Sequence, residues 1–426
     1  MGGRARTGPG GLVRMTVWEG LLGARVTPPV RMLLVLASLG YAGQWTMTAY
    51  LTIYVVTTLP VTQATAGLLL AAASAVGLVA GPAGGRLADA TSRRAVLLIG
   101  TAVQGAAALL LLLVPREPAA GIGAAALLTT GATLRTTALN ALAADVSTEA
   151  DRDTTFALMR MVMNIAAVVG TALGAVLVPV GWEAVWATSL AATLLGLVLC
   201  RWLRAPGPGA PRANTASYEA EAEGEGEAPP VPGRKRAVRV AAAASLLACT
   251  VYNCFEIVFP VAAVREYGLS PSLWGLLFLL NPVIVLLFQV RLVAWTGALN
   301  RGRRLMLATC LMGTSFMILT VTRGAAAIAA VVVVFTVGEI LLGPTMQGLL
   351  IALAPEDKRA GAMGLLSAVT TGGVILTTAG GIPLLAAAGG SLTWVVVTVV
   401  AVASGLLFGR AHRAVERTTR SAPQRA

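Results

Sequence analysis

Three charged side chains fall inside apolar runs of this sequence: Arg135, Glu256 and Glu339. A charge at mid-depth in a lipid bilayer costs about 2.5–3.5 kcal/mol on the insertion scale, so each needs a partner or a water-filled cavity. Arg135 and Glu339 lie near the middle of the fourth apolar run in their respective halves of the chain. Equal depth predicts a polar cavity that both face; a purely structural ion pair or helix-helix hydrogen bond is the alternative. A carboxylic acid there can bind a proton from one side and release it to the other. A nearby cation such as Arg135 would tune that exchange. Glu256, beside Tyr252 and Asn253, is a second proton-site candidate or a residue at the cavity rim.

Neutral polar residues complete the constellation. Tyr41 and Gln44, with Met47 or Thr48, share a helix face, and aromatic plus amide groups suit a large, partly apolar ligand. Asn164, Asn253 and Asn281 are further lining candidates, as is Gln289, with interhelical hydrogen bonding as the competing role. Arg160 and Arg291, one turn from a boundary, suit pairing with loop acids. Other chemistries lack their parts. The single histidine, His412, sits in a basic tail, and the four cysteines lack metal-ligand spacing. There is no Gly-Lys-Ser/Thr phosphate loop and no Ser/His/Asp set. The expectation is no enzyme, no cofactor and no metal.

The elements that position these residues are apolar spans. Of 426 residues, 56% are hydrophobic and 12% charged, too apolar a balance for a soluble fold of this size. A net charge of +13 suggests nucleic acid, but the arginines cluster in short loops and tails between apolar runs, the positive-inside pattern. Nucleic acid is therefore excluded as a partner, and the lipid bilayer takes its place. The pattern predicts about twelve spans, each near the ~20 residues that cross the hydrocarbon. An all-α membrane protein of two six-helix bundles follows: residues 28–203 and 237–409. A polar tail (1–27) precedes them, a Pro/Gly/Glu-rich linker (204–236) joins them, and a basic tail (410–426) follows. The linker composition cannot bury a core, which predicts disorder. An even number of spans puts both termini in the cytosol.

The halves repeat at an offset of roughly 207 residues. Gly174 falls opposite Gly381, and Arg93-Arg94 echo Arg303-Arg304. In the second loop, Gly85-Arg86-Leu87-Ala88-Asp89 followed by Ser92-Arg93-Arg94 resembles the signature of the major facilitator superfamily, with Ser92 in place of the usual glycine. Arg135 to Asp145, then Arg152, Phe156, Arg160 and Asn164, resemble bacterial multidrug-type members. So do Thr336 to Glu339, Pro344, Pro355 and Arg359. The fifth-span stretch Gly170 to Gly174 resembles the antiporter pattern, with Thr171 in place of its proline.

The resemblance implies two pseudo-symmetric bundles with substrate bound between them at the midplane, and a cytosolic gate at Gly85, Asp89, Arg93 and Arg94. Asp89 would meet the start of the eleventh span near Arg359 and Gly361, braced by Arg93. It further implies a monomer in a bacterial plasma membrane that exports a small amphipathic compound in exchange for protons. Glu339, Glu256 and Arg135 are its coupling candidates. Uptake of a metabolite, or a non-transporting sensor of the same fold, are the alternatives.

Overall fold

The computed structural model describes residues 27–147, 151–203, 234–353 and 359–420. The expected tail 1–26, linker 204–233 and terminus 421–426 lie outside the described residues. So do the side chains at Asp89 and Arg359 and the surroundings of Gly85 and Gly361, although the backbone at all four is helical.

The first half contains α1 (Pro28–Thr58), α2 (Gln63–Ala90), α3 (Arg93–Leu113), α4 (Pro118–Val146), α5 (Arg152–Leu177) and α6 (Trp182–Leu199). Local chemistry sets their starts. Pro28 and Pro118 open α1 and α4, where the missing N–H costs nothing. Ser92 accepts from the Ala95 N–H at 3.1 Å and so caps α3. That capping hydroxyl serves the turn where the signature carries glycine.

The second half is less regular. Helix α7 runs through Arg234–Asn253, a π-helical turn Cys254–Val258, and Phe259–Arg265. Helix α8 comprises Pro271–Phe278 and Leu280–Trp295, and α9 comprises Arg301–Ser315 and Ile318–Val321. Helix α10 is Ala325–Leu353, with Pro344 inside it. Helix α11 begins as Arg359–Leu376, passes through a second π-turn, Thr377–Gly381, and continues from Ile382. Gly389, in the left-handed region at φ 71°, breaks the stretch Ile382–Arg420 and separates α11 from α12. The chain remains helical to Arg420, beyond the expected end of the bundle at residue 409. Helix α7 starts at Arg234, inside the expected linker.

Among the described residues, nine helical stretches are long and apolar enough to cross a membrane. Helices α1 and α4 are not among them, and α11 and α12 merge into the stretch Leu365–Arg413. Packing repeats between halves. In the first, α1 packs on α5 and α6, α3 on α4 and α6, and α2 on α4. In the second, α7 packs on α11 and α12, α9 on α10 and α12, and α8 on α10. Each pairing is the other shifted by six helices. The repeat extends to caps: Asn300 accepts from the Arg303 N–H at 2.9 Å, as Ser92 does at the start of α3.

Helices joined by short turns alternate in direction, so the chain ends at 27, 203, 234 and 420 share one face, the terminal face. The halves meet closely toward the opposite face. A Cβ on Gly67 of α2 would lie 2.7 Å from the Thr378 carbonyl oxygen of α11. The Tyr50 hydroxyl of α1 fills the space beside Gly275 of α8. The Arg265 guanidinium, at the end of α7, donates to the Val56 carbonyl near the end of α1. A cation is favoured there by the negative end of the helix dipole.

That last contact joins the halves at one face only, so it favours the state in which that face is closed. A hydrogen bond to a charged group contributes about 1.5–3 kcal/mol, or roughly tenfold or more in a two-state ratio. Arg265→Gln is expected to add a longer population to the distance distribution between spin labels at Pro60 and Val321. An unchanged distribution removes the latch role.

Candidate functional site

Two neighbouring chambers lie between the halves. The larger, about 710 Å³, is walled by α1, α2, α4, α7 and α11 and includes Gln44, Thr52, Asn253, Glu256 and Thr378. It extends toward the terminal face as far as Gly81, Thr137 and Ser367. The smaller, about 330 Å³, lies among α1, α5, α7, α8 and α10. Its walls carry Trp45, Asn164, Tyr252, Phe278, Asn281 and Glu339. Glu256 and Thr370 line both chambers.

The acids sit on a short polar network. The Tyr252 hydroxyl donates to Glu256 Oε1 at 2.9 Å, one helical turn along α7. Tyr252 also reaches the Glu339 carboxyl, and both acids line the smaller chamber. Asn281 Nδ2 donates to Glu339 Oε2 at 2.5 Å and to Thr336 Oγ1 at 2.9 Å. Among the described residues no ion pair reaches either acid; the ion pair that the structure does hold joins Arg93 to Asp145. Two carboxyl groups sharing one phenol, with no ion-pair partner among the described residues although Arg160 lines the same chamber, can hold a proton or attract a positively charged guest.

Arg135 lies elsewhere: it lines neither chamber, whereas the expectation was a cavity that it and Glu339 both face. Its side chain, 1% exposed, is buried among α1, α3 and α4. Its Nε donates to Gln104 Oε1 at 3.2 Å and its Nη2 to Gln44 Oε1. Its guanidinium carbon stands 4.2 Å from the centre of the Tyr41 ring. Gly40 leaves room for it, since a Cβ there would fall 2.7 Å from Nη1. Neutral amides and a ring face thus surround a guanidinium that was expected to face a cavity. The direction that Arg135 faces was not legible in the sequence.

The remaining candidates divide. Gln44 and Asn253 line the larger chamber, and Asn164 and Asn281 the smaller. Tyr41 does not line either chamber: it packs under Arg135, with its hydroxyl 3.4 Å from Thr136 Oγ1. Arg160 and Gln289 line the smaller chamber, so Arg160 faces the cavity, where loop acids were the expected partner. Arg93 of the gate motif donates to the Ala141 carbonyl at 3.1 Å as well as pairing with Asp145, binding α3 to the end of α4. Arg94 donates to the Arg201 carbonyl at 3.1 Å, binding α3 to the end of α6.

Sequence reasoning missed Gln104 as the partner of Arg135. It also missed the ring pair Trp45 and Phe278, whose centres lie 6.5 Å apart across the interface of the halves. The walls also look more polar in sequence than they are. Ser74, Thr129, Thr133, Thr137, Thr370, Thr371 and Thr378 each donate to the carbonyl four residues earlier.

Removing one partner of a buried charge costs more than removing the charge with its donors. Gln104→Leu is therefore expected to lower thermal stability in detergent by about 1–3 kcal/mol. Arg135→Met should cost less. The reverse order of melting temperatures would show that the guanidinium does not depend on Gln104.

Comparison with known proteins adds to this geometry. The model of the Major Facilitator Superfamily matches residues 33–378. An uncharacterized MFS-type transporter, YqjV of Bacillus subtilis, is 26% identical over 349 residues, covering 76% of this chain and 79% of the relative. A Na(+), Li(+), K(+)/H(+) antiporter of Planococcus maritimus is 25% identical over 368 residues, covering 80% and 86%. Among solved structures, a POT family transporter in complex with 5-aminolevulinic acid is similar with a TM-score of 0.76 at 14% identity. The likeness covers 91% of this chain and 96% of that one. At such identity it concerns fold alone, and it agrees with the two-bundle arrangement. Matched by the family model over most of its length and related to transporters throughout, the chain belongs to the major facilitator superfamily and is a transporter rather than an enzyme.

Proposed function

We propose that this transporter exports a small amphipathic organic compound in exchange for protons, from the cytosol across a bacterial plasma membrane. The observation that carries the reading is the acid pair Glu256 and Glu339, with no ion-pair partner among the described residues, joined through Tyr252 in the chambers between the halves. Cargo and proton then compete for the same carboxyls. A protonated pair releases a positively charged or hydrogen-bonding guest, and loss of the proton restores the site for the next one. Alternating access supplies the sidedness: the pair is reached from one face at a time. Apolar surface at Trp45 and Phe278 suits the other end of such a guest. The antiporter among the relatives supports proton exchange as the energy source. The gate at Gly85, Asp89, Arg93 and Arg94 belongs to the same reading. Asp89 would close the cytosolic side against α11, while Arg93 and Arg94 keep the turn fixed to α4 and α6.

A second reading, exchange of alkali cations for protons, is favoured by the Planococcus relative, a Na(+), Li(+), K(+)/H(+) antiporter. The same acid pair would serve. The size of the larger chamber, about 710 Å³, favours the organic cargo.

Two experiments test these readings. In everted vesicles energised by respiration, addition of an organic cargo is expected to dissipate the proton gradient. Alkali chlorides should not, and the opposite selectivity establishes the second reading. Glu339→Gln should abolish accumulation against a gradient and flatten the pH dependence of cargo binding, with a smaller effect for Glu256→Gln. Wild-type pH dependence in Glu339→Gln would make that residue structural. For orientation, reporters fused within residues 204–233 and after Arg420 should read cytosolic, and one at Pro115 external. An external signal from the linker overturns the assigned direction.

A further inference from the structure

Glu256 does not sit on a regular α-helix. It is the central residue of the π-turn Cys254–Val258, in which the Phe259 N–H bonds to the Cys254 carbonyl five residues back. The second π-turn, Thr377–Gly381, packs directly against it. Two contacts interlock them. A Cβ on Gly381 would fall 2.7 Å from Val258 Cγ2 and 3.9 Å from Cys254 Sγ. Thr377 Oγ1 donates to the Thr250 carbonyl at 2.9 Å, one turn before the widened segment. Both turns also wall the larger chamber, through Glu256 and Ile257 on one side and Thr378 on the other.

The first half offers the comparison within the same chain. Its equivalent pair, α1 and α5, is α-helical throughout the contact. There Gly174, the repeat partner of Gly381, receives the ring of Tyr50, whose hydroxyl donates to the Thr171 carbonyl at 2.8 Å. The same glycine of the repeat thus meets a bulky ring in one half and a π-turn in the other. The half with the π-turns is the half with the cavity acids. A π-turn holds one residue more than the α-helix it replaces. Each residue of an α-helix advances about 100° around its axis, so the extra residue sets the facing of everything after it relative to everything before it. Such turns are concentrated at functional sites.

We infer that the interlocked π-turns are a positioning device for Glu256, with Gly381 and Thr377 as the residues that hold its carboxyl in the chambers. If the π-turn of α7 relaxes to α-helix, Glu256 rotates relative to Tyr252 and leaves the position it shares with Glu339. The consequence for transport rests on the proposed proton role of the acids; the placement of Glu256 does not.

The test reads placement directly. Dicyclohexylcarbodiimide, a hydrophobic reagent for cavity carboxyls, is applied to the purified full-length protein, and adducts on Glu256 and Glu339 are quantified by mass spectrometry. Glu339 in the same sample is the internal reference. Gly381→Ala should lower the labelling of Glu256 relative to Glu339 at least threefold. Val258→Ala in the same chain removes the clashing methyl group and should restore it. Thr377→Val should act like Gly381→Ala, while Thr377→Ser, which keeps the hydroxyl, should label as wild type. If Gly381→Ala does not fold, the Thr377 pair carries the test alone. A folded variant with an unchanged ratio, or loss of labelling at both acids together, overturns the inference. Loss of transport with unchanged labelling also counts against it. Altered labelling with intact proton coupling would refute the proton role of Glu256 and leave its positioning standing.

Discussion

A backbone in lipid must satisfy its hydrogen bonds within its own helix, and the rest of this structure follows from that constraint. Helices become units whose only freedom is how closely and at which face they meet. Close approach then depends on small residues. Gly67 lets α2 touch the backbone of α11, and Gly275 accommodates Tyr50. These contacts gather toward one face, and the chambers extend toward the other. Departures from regular helix are few, and two of them, the π-turns of α7 and α11, adjoin the cavity acids.

Charge divides unequally between halves that pack alike. The first half encloses Arg135 completely: it is held by two amides and a ring without touching a chamber, while Arg160 of the same half lines the smaller one. The second half presents its acids to the space between the bundles. The buried guanidinium has no carboxylate partner among the described residues, so its field remains unneutralised by direct contact. It also fixes Gln44, which does line the larger chamber, by occupying that side chain's oxygen. The amide face left toward the chamber therefore depends on a residue that never reaches it.

Much of the architecture was legible because apolar runs, proline starts and polar caps are local. Pro28, Pro118 and Ser92 mark helix starts by their own chemistry. The chamber positions of Asn164, Asn253, Asn281, Glu256 and Glu339 followed from the cost of burying polar groups in lipid. What failed was azimuth. The partners of Arg135, Gln44 and Gln104, lie 91 and 31 residues away and nothing local joins them. The ion pair of Arg93 with Asp145 spans 52 residues and was likewise invisible. The π-turns escape sequence reading for a related reason. One inserted residue shifts the phase of an apolar pattern that, in α7, is apolar on nearly every side.

The threonine rows along the larger chamber set its chemical temper. Each hydroxyl proton of Thr129, Thr133 and Thr137 is committed to the helix that carries it. What remains toward the chamber is methyl groups and oxygen lone pairs. This row of the wall is a Lewis base with a greasy finish: it solvates N–H and O–H groups of a guest and leaves the guest's own acceptors to groups elsewhere in the chamber, the Gln44 amide among them. A row of this kind binds loosely in many poses and gives an anion no hydrogen bond along its length.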